Sequence, residues 1–246
     1  MRRTAAASLV AAAVFAPHAS AGTGLSVSPL RLALVGRSSA TITVRNPSGR
    51  PLLVAAGRAG FARTLRGRPR VRAVRGAADW LRVRPRRLRL APHATGTLRV
   101  TALTPSTAAA GDHPALVLLG TRQPGDRRVR VLLRVGVVVL VHVTGPVVRR
   151  LEPQALTVER RGRKRLFELR LANRGNVLER LGGARLRLVL LRGGTAIARL
   201  RPRRLELLPH SAGIAEFVYR GRLRGRIDAR AELASPGRSR SYRLRL

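Results

Sequence analysis

The chain has 246 residues, with 50 Lys+Arg against 11 Asp+Glu, a formal net charge of +39, 45% hydrophobic residues, 3% aromatic residues and no cysteine. The lack of cysteine excludes a disulfide framework, a zinc knuckle, thiol catalysis and a lipidated cysteine. The apolar content is too high for a disordered polybasic tail, and so few aromatics argue against a base-stacking surface. A folded, very basic chain of one or two domains remains.

Residues 1–21 read as a secretory signal peptide. Arg2 and Arg3 form a charged start, Ala5 to Phe15 an apolar stretch, and Ala19-Ser20-Ala21 a small-residue cleavage site, so the mature chain is expected to begin at Gly22. The apolar stretch is shorter than the ~20 residues that span a bilayer, and no 18-residue apolar run follows. The alternative is a buried N-terminal helix. The expected location is outside the cytoplasm: secreted, cell-surface or periplasmic. The adjacent arginines leave Sec and Tat export both open.

From residue 22 onward the pattern is that of strands. "SATITVRN" (39–46), "TLRVTAL" (97–103), "RLFELRLAN" (165–173) and "ARLRLVLL" (184–191) alternate polar and apolar residues, the period of a half-buried strand. Asn46-Pro47-Ser48-Gly49, Pro124-Gly125-Asp126, Asn173-Arg174-Gly175-Asn176 and Gly193-Gly194 supply turns between them. No long amphipathic helix is expected. Short strands punctuated by Gly/Pro turns predict an all-β sandwich fold.

An internal repeat sets the domain count. "RPRRLRLAPHATGTLRV" (84–100) and "RPRRLELLPHSAGIAEF" (201–217) share Pro85/Pro202, Leu90/Leu207, Pro92/Pro209, His93/His210 and Gly96/Gly213 at one offset, besides arginines. The Asn46 and Asn173 turns form a further pair. Arginine-rich coincidence is the competing explanation, but it does not account for matched Pro, His and Gly. The reading is two tandem sandwiches, 22–145 and 146–246, with the boundary near Gly145-Pro146. His93 and His210 then sit in equivalent turns and are structural, too far apart to form a metal pair.

Residues 129–143, "VRVLLRVGVVVLVHV", stand apart. Every odd position is apolar and must face a core, while the even positions are Arg130, Leu132, Arg134, Gly136, Val138, Leu140 and His142. Fifteen extended residues exceed the usual strand length, so a bulge or bend is expected at Gly136. Such a strand is either covered by its own sheet or forms an edge that pairs with another chain. The candidate partner-binding residues are Arg31, Arg130, Leu132, Arg134, Val138 and Leu140.

No enzyme is expected, and no catalytic, metal or cofactor residues are assigned. G-x-S-x-G, H-E-x-x-H, P-loop and G-x-G-x-x-G patterns are all missing. Asp112-His113 reads as a loop pair, and Trp80, the one tryptophan, as a core anchor.

Lys164 is the only lysine, so the basic residues are almost all arginine, spread evenly over both halves on alternating strand faces. That distribution reads as a solubilising coat on Leu/Val-rich sheets, with coding bias behind the arginine excess. Selection for a polyanion is the competing explanation.

The segments 25–143 resemble the first domain of PapD-like proteins. The residues that carry the likeness are Ser28-Pro29 with Arg31, Asn46, Trp80, Pro85, Leu90 with Pro92, and Gly111-Asp112. "LANRGNVLERL" (171–181) resembles the second immunoglobulin-like domain of such proteins. The pattern is most similar to the WxL-interacting, peptidoglycan-binding (DUF916-type) family of bacterial cell-surface proteins. The resemblance implies export, two immunoglobulin-like sandwiches and binding to a cell-surface protein or to peptidoglycan. In the related pilus chaperones, basic residues on the first and last strands of domain one grip a client's C-terminal carboxylate. Arg31 matches the first of these positions, and Gly136 stands at the second. The expected function is thus a non-enzymatic binding or assembly protein of the cell envelope. It would act by strand pairing or by contact with peptidoglycan. The alternative is a polyanion binder, whether of an anionic wall polymer, lipid headgroups or extracellular nucleic acid.

Overall fold

The computed structural model describes residues 24–122, 132–223, 225–235 and 238–245. The signal segment and Arg130 lie outside them. Alternating apolar residues give strands throughout, and among the described residues the one α-helix is α1 (Ala77–Trp80). No helix among them is long and apolar enough to cross a membrane.

The first sandwich stacks two sheets. One holds β1 (Ser26–Ser28), β3 (Ser39–Arg45), β8 (Thr95–Ala102) and β6 (Leu81–Arg84), in that spatial order. The other holds β2 (Arg31–Val35), β10 (Leu132–Val143), β9 (Gly111–Arg122), β4 (Leu52–Arg63) and β5 (Pro69–Arg72), with β7 (Arg87–Leu90) also paired to β4. The chain passes repeatedly from one sheet to the other, and two of these crossings carry a cis X–Pro bond: β1 to β2 at Ser28–Pro29, and β6 to β7 at Arg84–Pro85. The inward residues of both sheets fuse into one core, among them Ile42, Val54, Leu81, Leu98, Val117, Leu119, Val137, Val139 and Val141. Removing that apolar surface from water, ~25 cal/mol per Å², is the main force holding the sheets together.

The second sandwich is built from β11 (Leu151–Arg161), β12 (Lys164–Asn173) and β17 (Ala212–Tyr219) on one side. Facing them are β15 (Thr195–Leu200), β14 (Leu186–Arg192), β18 (Asp228–Ser235) and β19 (Arg238–Arg245), with β13 (Glu179–Leu181) and β16 (Leu205–Leu207) as a separate pair. Its core centres on Phe167, Leu169, Leu171, Leu188, Leu190 and Phe217.

The sequence repeat has a three-dimensional counterpart. Asn46 and Asn173 are both fully buried and do the same work. Asn46 Nδ2 donates to the carbonyls of Arg50 (2.7 Å), Leu90 (3.4 Å) and Ala91 (3.0 Å), and its Oδ1 accepts the Ser48 amide. Asn173 Nδ2 donates to Val177 (2.8 Å), Leu207 (3.3 Å) and Leu208 (3.1 Å), and its Oδ1 accepts the Gly175 amide. Each asparagine therefore staples a turn to the strand that the repeat motif forms. His93 and His210 both adopt positive φ, 59° and 52°, in the equivalent turns. A Cβ at Gly96 would stand 2.9 Å from the Leu88 and Leu90 methyls, and one at Gly213 would stand 2.5 Å from a Leu207 methyl, so any larger residue where the repeat strand crosses must displace these leucine side chains.

Two local expectations fail. β10 pairs with β9 in unbroken register from Leu132↔Arg122 to Val143↔Gly111, so Gly136 hosts no bulge. The strand keeps its length because β9 is equally long and carries it throughout. Asp112 and His113 belong to strand β9, not to a loop. Nor do they pair with each other: Asp112 Oδ1 lies 2.7 Å from His142 Nδ1, while His113 Nε2 lies 2.7 Å from the Ala109 carbonyl and its ring packs against Trp80. Adjacent residues of a strand point to opposite faces, which separates the two side chains.

Candidate partner-binding edge

β10 is covered along only part of its length. β2 pairs with it in parallel from Val138↔Arg31 to His142↔Val35. The Val138 amide donates to Leu30 and the Gly36 amide to the His142 carbonyl, so the even residues of β10 turn their backbone groups towards β2. By the period-two geometry of a strand, Arg134 and Gly136 turn theirs the same way. Among the described residues no strand lies beside them there, because the chain leaves for the other sheet at Pro29. Residues 132–137 of β10 are thus a sheet edge, and residues 138–142 are interior. The question raised by the sequence, edge or covered strand, has both answers in one strand.

An open edge is a row of unpaired donors and acceptors that can template another strand. Arg134 is exposed on it, the outer face at Gly136 is bare of side chain, and Leu30, 59% exposed, is an apolar contact at its end. On the opposite face Val137 is fully buried in the first core. The edge is therefore anchored rigidly from below.

The other proposed contacts lie in the seam between the sandwiches. Val138 packs with Phe61, Leu116 and Leu208 in a small interdomain cluster, and Leu140 lines the same seam beside Phe61, Leu178 and Leu208. Arg31 closes it. Its Nη1 and Nη2 donate to Glu206 Oε1 and Oε2, both at 2.7 Å, a bidentate fork. Arg63 Nη2 adds a bond to Glu206 Oε2 at 3.0 Å, and Arg180 Nε approaches Oε1 at 3.4 Å. The paired Arg31 holds the Glu206 carboxyl below the usual carboxylate range against the opposing effect of burial, with Arg63 and Arg180 adding to the shift. The Arg31 guanidinium is correspondingly raised.

The turn between β4 and β5 reaches further across. The Ile214 amide donates to the Leu65 carbonyl, and Arg66 donates to Glu168 Oε1 (2.8 Å) and Glu216 Oε1 (3.0 Å). At the linker, Asp112 Oδ2 accepts the Leu178 amide and Asn176 Nδ2 donates to the carbonyls of Ala110 and Pro146. Few acids balance this chain, and Glu168, Glu206 and Glu216 of the second sandwich all face arginines of the first. Sequence reading missed this network, since its partners are 102 to 175 residues apart and no local pattern marks them.

The network has a pH signature. A carboxyl whose folded value is depressed stabilises the native state fully above its unfolded value, here the ordinary 4.5, and loses that contribution as pH falls through the folded value. Acid below about pH 4.5 should therefore lower the melting temperature of the wild type more than that of Glu206→Gln, which has no such charge to lose. Parallel acid profiles of the two proteins, measured by thermal unfolding, would contradict the role given to Glu206.

Among the described residues no cluster of three or more His, Asp or Glu side chains is arranged to hold a metal ion.

No known protein-family model matches the chain, and no curated protein matches it in sequence. Solved structures do match in fold. The YadV chaperone is 12% identical, with 90% of this chain and 99% of that one aligned and a TM-score of 0.50. A structure described as a chaperone–tip adhesin complex of CFA/I fimbriae biogenesis is 10% identical, with 90% and 98% aligned and a TM-score of 0.54. Nearly the whole length of each neighbour superposes on this chain, and the chain has the fold expected from its sequence: all-β, with two tandem immunoglobulin-like sandwiches of the PapD-like type.

Proposed function

We propose that this protein is an exported, non-enzymatic assembly or binding protein of the cell envelope. It engages a surface-protein subunit by accepting one of that subunit's strands along residues 132–137 of β10. The observation that carries this reading is the half-open edge: a long, rigid, apolar-backed strand with one flank left unpaired for about half its length. One structural neighbour is described as a chaperone–tip adhesin complex, a kind of partner that fits the same reading. In this scheme Arg134, Leu132 and the adjoining Arg130 flank the pairing strand. Arg31, Val138 and Leu140 act from the seam, setting where the open segment ends. The mature chain runs from Gly22, with sandwiches at 22–145 and 146–246. Kinship with the WxL-interacting proteins, and peptidoglycan as ligand, rests on the sequence resemblance.

Backbone pairing is not ionic, so a partner captured from envelope extract should stay bound in ~0.5 M salt, where the Debye length is only a few ångströms. Loss of all captured protein under that wash, or capture by bare wall sacculi alone, would overturn the reading.

A further inference from the structure

The far end of the second sandwich carries a different surface. The turn after β11 and the loop after β17 converge there and form a groove of about 870 Å³. Its cationic lining is Arg160, Arg163, Lys164, Arg165, Arg220 and Arg222, with half-buried Leu223 as the apolar member and no acid among the lining residues. Two Arg-Gly-Arg turns, Arg161-Gly162-Arg163 and Arg220-Gly221-Arg222, bring this about: the glycines keep the loops tight, and the arginines on either side are thrown outwards.

These cations are gathered round one groove and are not spent on carboxylates; the one internal bond among them runs from Arg160 Nε to the Gly162 carbonyl at 3.4 Å. Arg31, Arg63 and Arg66 are spent on the domain seam. Arg58 and Arg82, which line a second arginine-rich groove, are held by the backbone carbonyls of Asp79 and Leu81. Among the described residues none of the six groove cations forms a salt bridge. The nearest acid along the strand, Glu159, is engaged by Arg161 at 2.8 Å. Asp228 lies in the neighbouring hollow, which shares Arg165 and Leu223. The pole lies at the opposite end of β12 from the linker, with the Arg66–Glu168 contact about midway between them. β12 runs from Lys164 at the pole to Asn173 at the junction, a span of ~30 Å at about 3.3 Å per residue.

We infer that this pole docks on an anionic phospholipid surface. Guanidinium forks match phosphate oxygens in pairs. Several exposed cations on two short loops, around a shallow open groove, suit a field of headgroups better than one enclosed ligand. Leu223 and the exposed Val158 provide the apolar contact that a bilayer interface rewards and a soluble polyanion does not.

The test is co-sedimentation of the full chain with vesicles of phosphatidylcholine containing about one-third phosphatidylglycerol, in ~0.1 M salt. One variant combines Arg160→Ser, Arg163→Ser, Arg220→Ser and Arg222→Ser. A second removes the same charge from exposed sites of the first sandwich: Arg45→Ser, Arg70→Ser, Arg72→Ser and Arg89→Ser. Far-UV circular dichroism and melting confirm that both remain folded. The pole variant should lose at least about tenfold in vesicle affinity and the matched variant less than about threefold. Equal losses would mean that net charge alone binds and would overturn the site. Equal binding to pure phosphatidylcholine vesicles would also overturn it. So would tight binding of soluble polyphosphate at the pole without vesicle binding.

Discussion

Asn173→Ala should destabilise the second sandwich by about 3 kcal/mol, a large effect for one side chain. The substitution takes Asn173 from the carbonyls of Val177 and Leu207 and the amide of Gly175, in a place that water does not reach, while the Leu208 carbonyl keeps its bond from Ser211 Oγ. Each unsatisfied buried group costs ~1–3 kcal/mol, partly recovered by relaxation. Asn173→Asp should fare little better, because a carboxylate cannot donate to three carbonyls. Asn46→Ala should do the same to the first sandwich. Trp80, the sole tryptophan, lies against the first core and reports on it alone. In denaturant titrations Asn46→Ala should shift the Trp80 fluorescence transition strongly, whereas Asn173→Ala should shift the far-UV transition more than the Trp80 signal. Coincident small shifts for both variants would mean that the paired turns are not the staples described.

Gly136→Pro should remove partner capture while leaving the fold intact. The Gly136 amide points to the open flank, so losing it breaks no bond to β9, whose ladder is carried by the odd residues of β10. Proline is tolerated on an edge whose N–H side is free. A Cβ there would sit 3.6 Å from Leu116 and 3.8 Å from Leu118, ordinary contacts. A partner strand, however, loses an acceptor's donor and meets the ring, which should weaken capture by about tenfold or more. Arg134→Ser keeps its amide on the same flank, so it should retain capture within about threefold in ~0.5 M salt. If serine at 134 costs as much as proline at 136, charge and not backbone pairing holds the partner.

Much of this architecture is legible in the residues. Alternation places Val137, Val139 and Val141 in the core, and the structure buries all three completely. The Asn, His and Gly of the repeat recur because each meets a requirement that few residues satisfy: a three-carbonyl staple, a positive φ, a crossing without a Cβ. Such constraints act locally and leave a local trace. The edge and the seam do not. That β2 stops covering β10 at Val138 follows from where the chain changes sheets, which alternation cannot reveal. Glu206 looks like any charged residue beside a leucine, yet it collects Arg31 and Arg63 from the other sandwich besides Arg180 from the strand paired with its own. Arg31, singled out as a partner contact, turns out to be engaged by this carboxylate within the chain. Asp112 reaches His142 because strands β9 and β10 place them opposite each other, a register that sequence spacing does not disclose.

Residues 132–137 are the proposed pairing edge, and hydrogen exchange along β10 reads their backbone amides one by one. In the free protein the amides of Arg134 and Gly136 should exchange rapidly, while those of Val135 and Val137, bonded to β9, remain protected. In the complex with captured partner the Arg134 and Gly136 amides should become protected as well. Slow exchange at these two positions in the free chain would mean that the edge is already covered. Capture that leaves them fast would mean that the partner binds elsewhere.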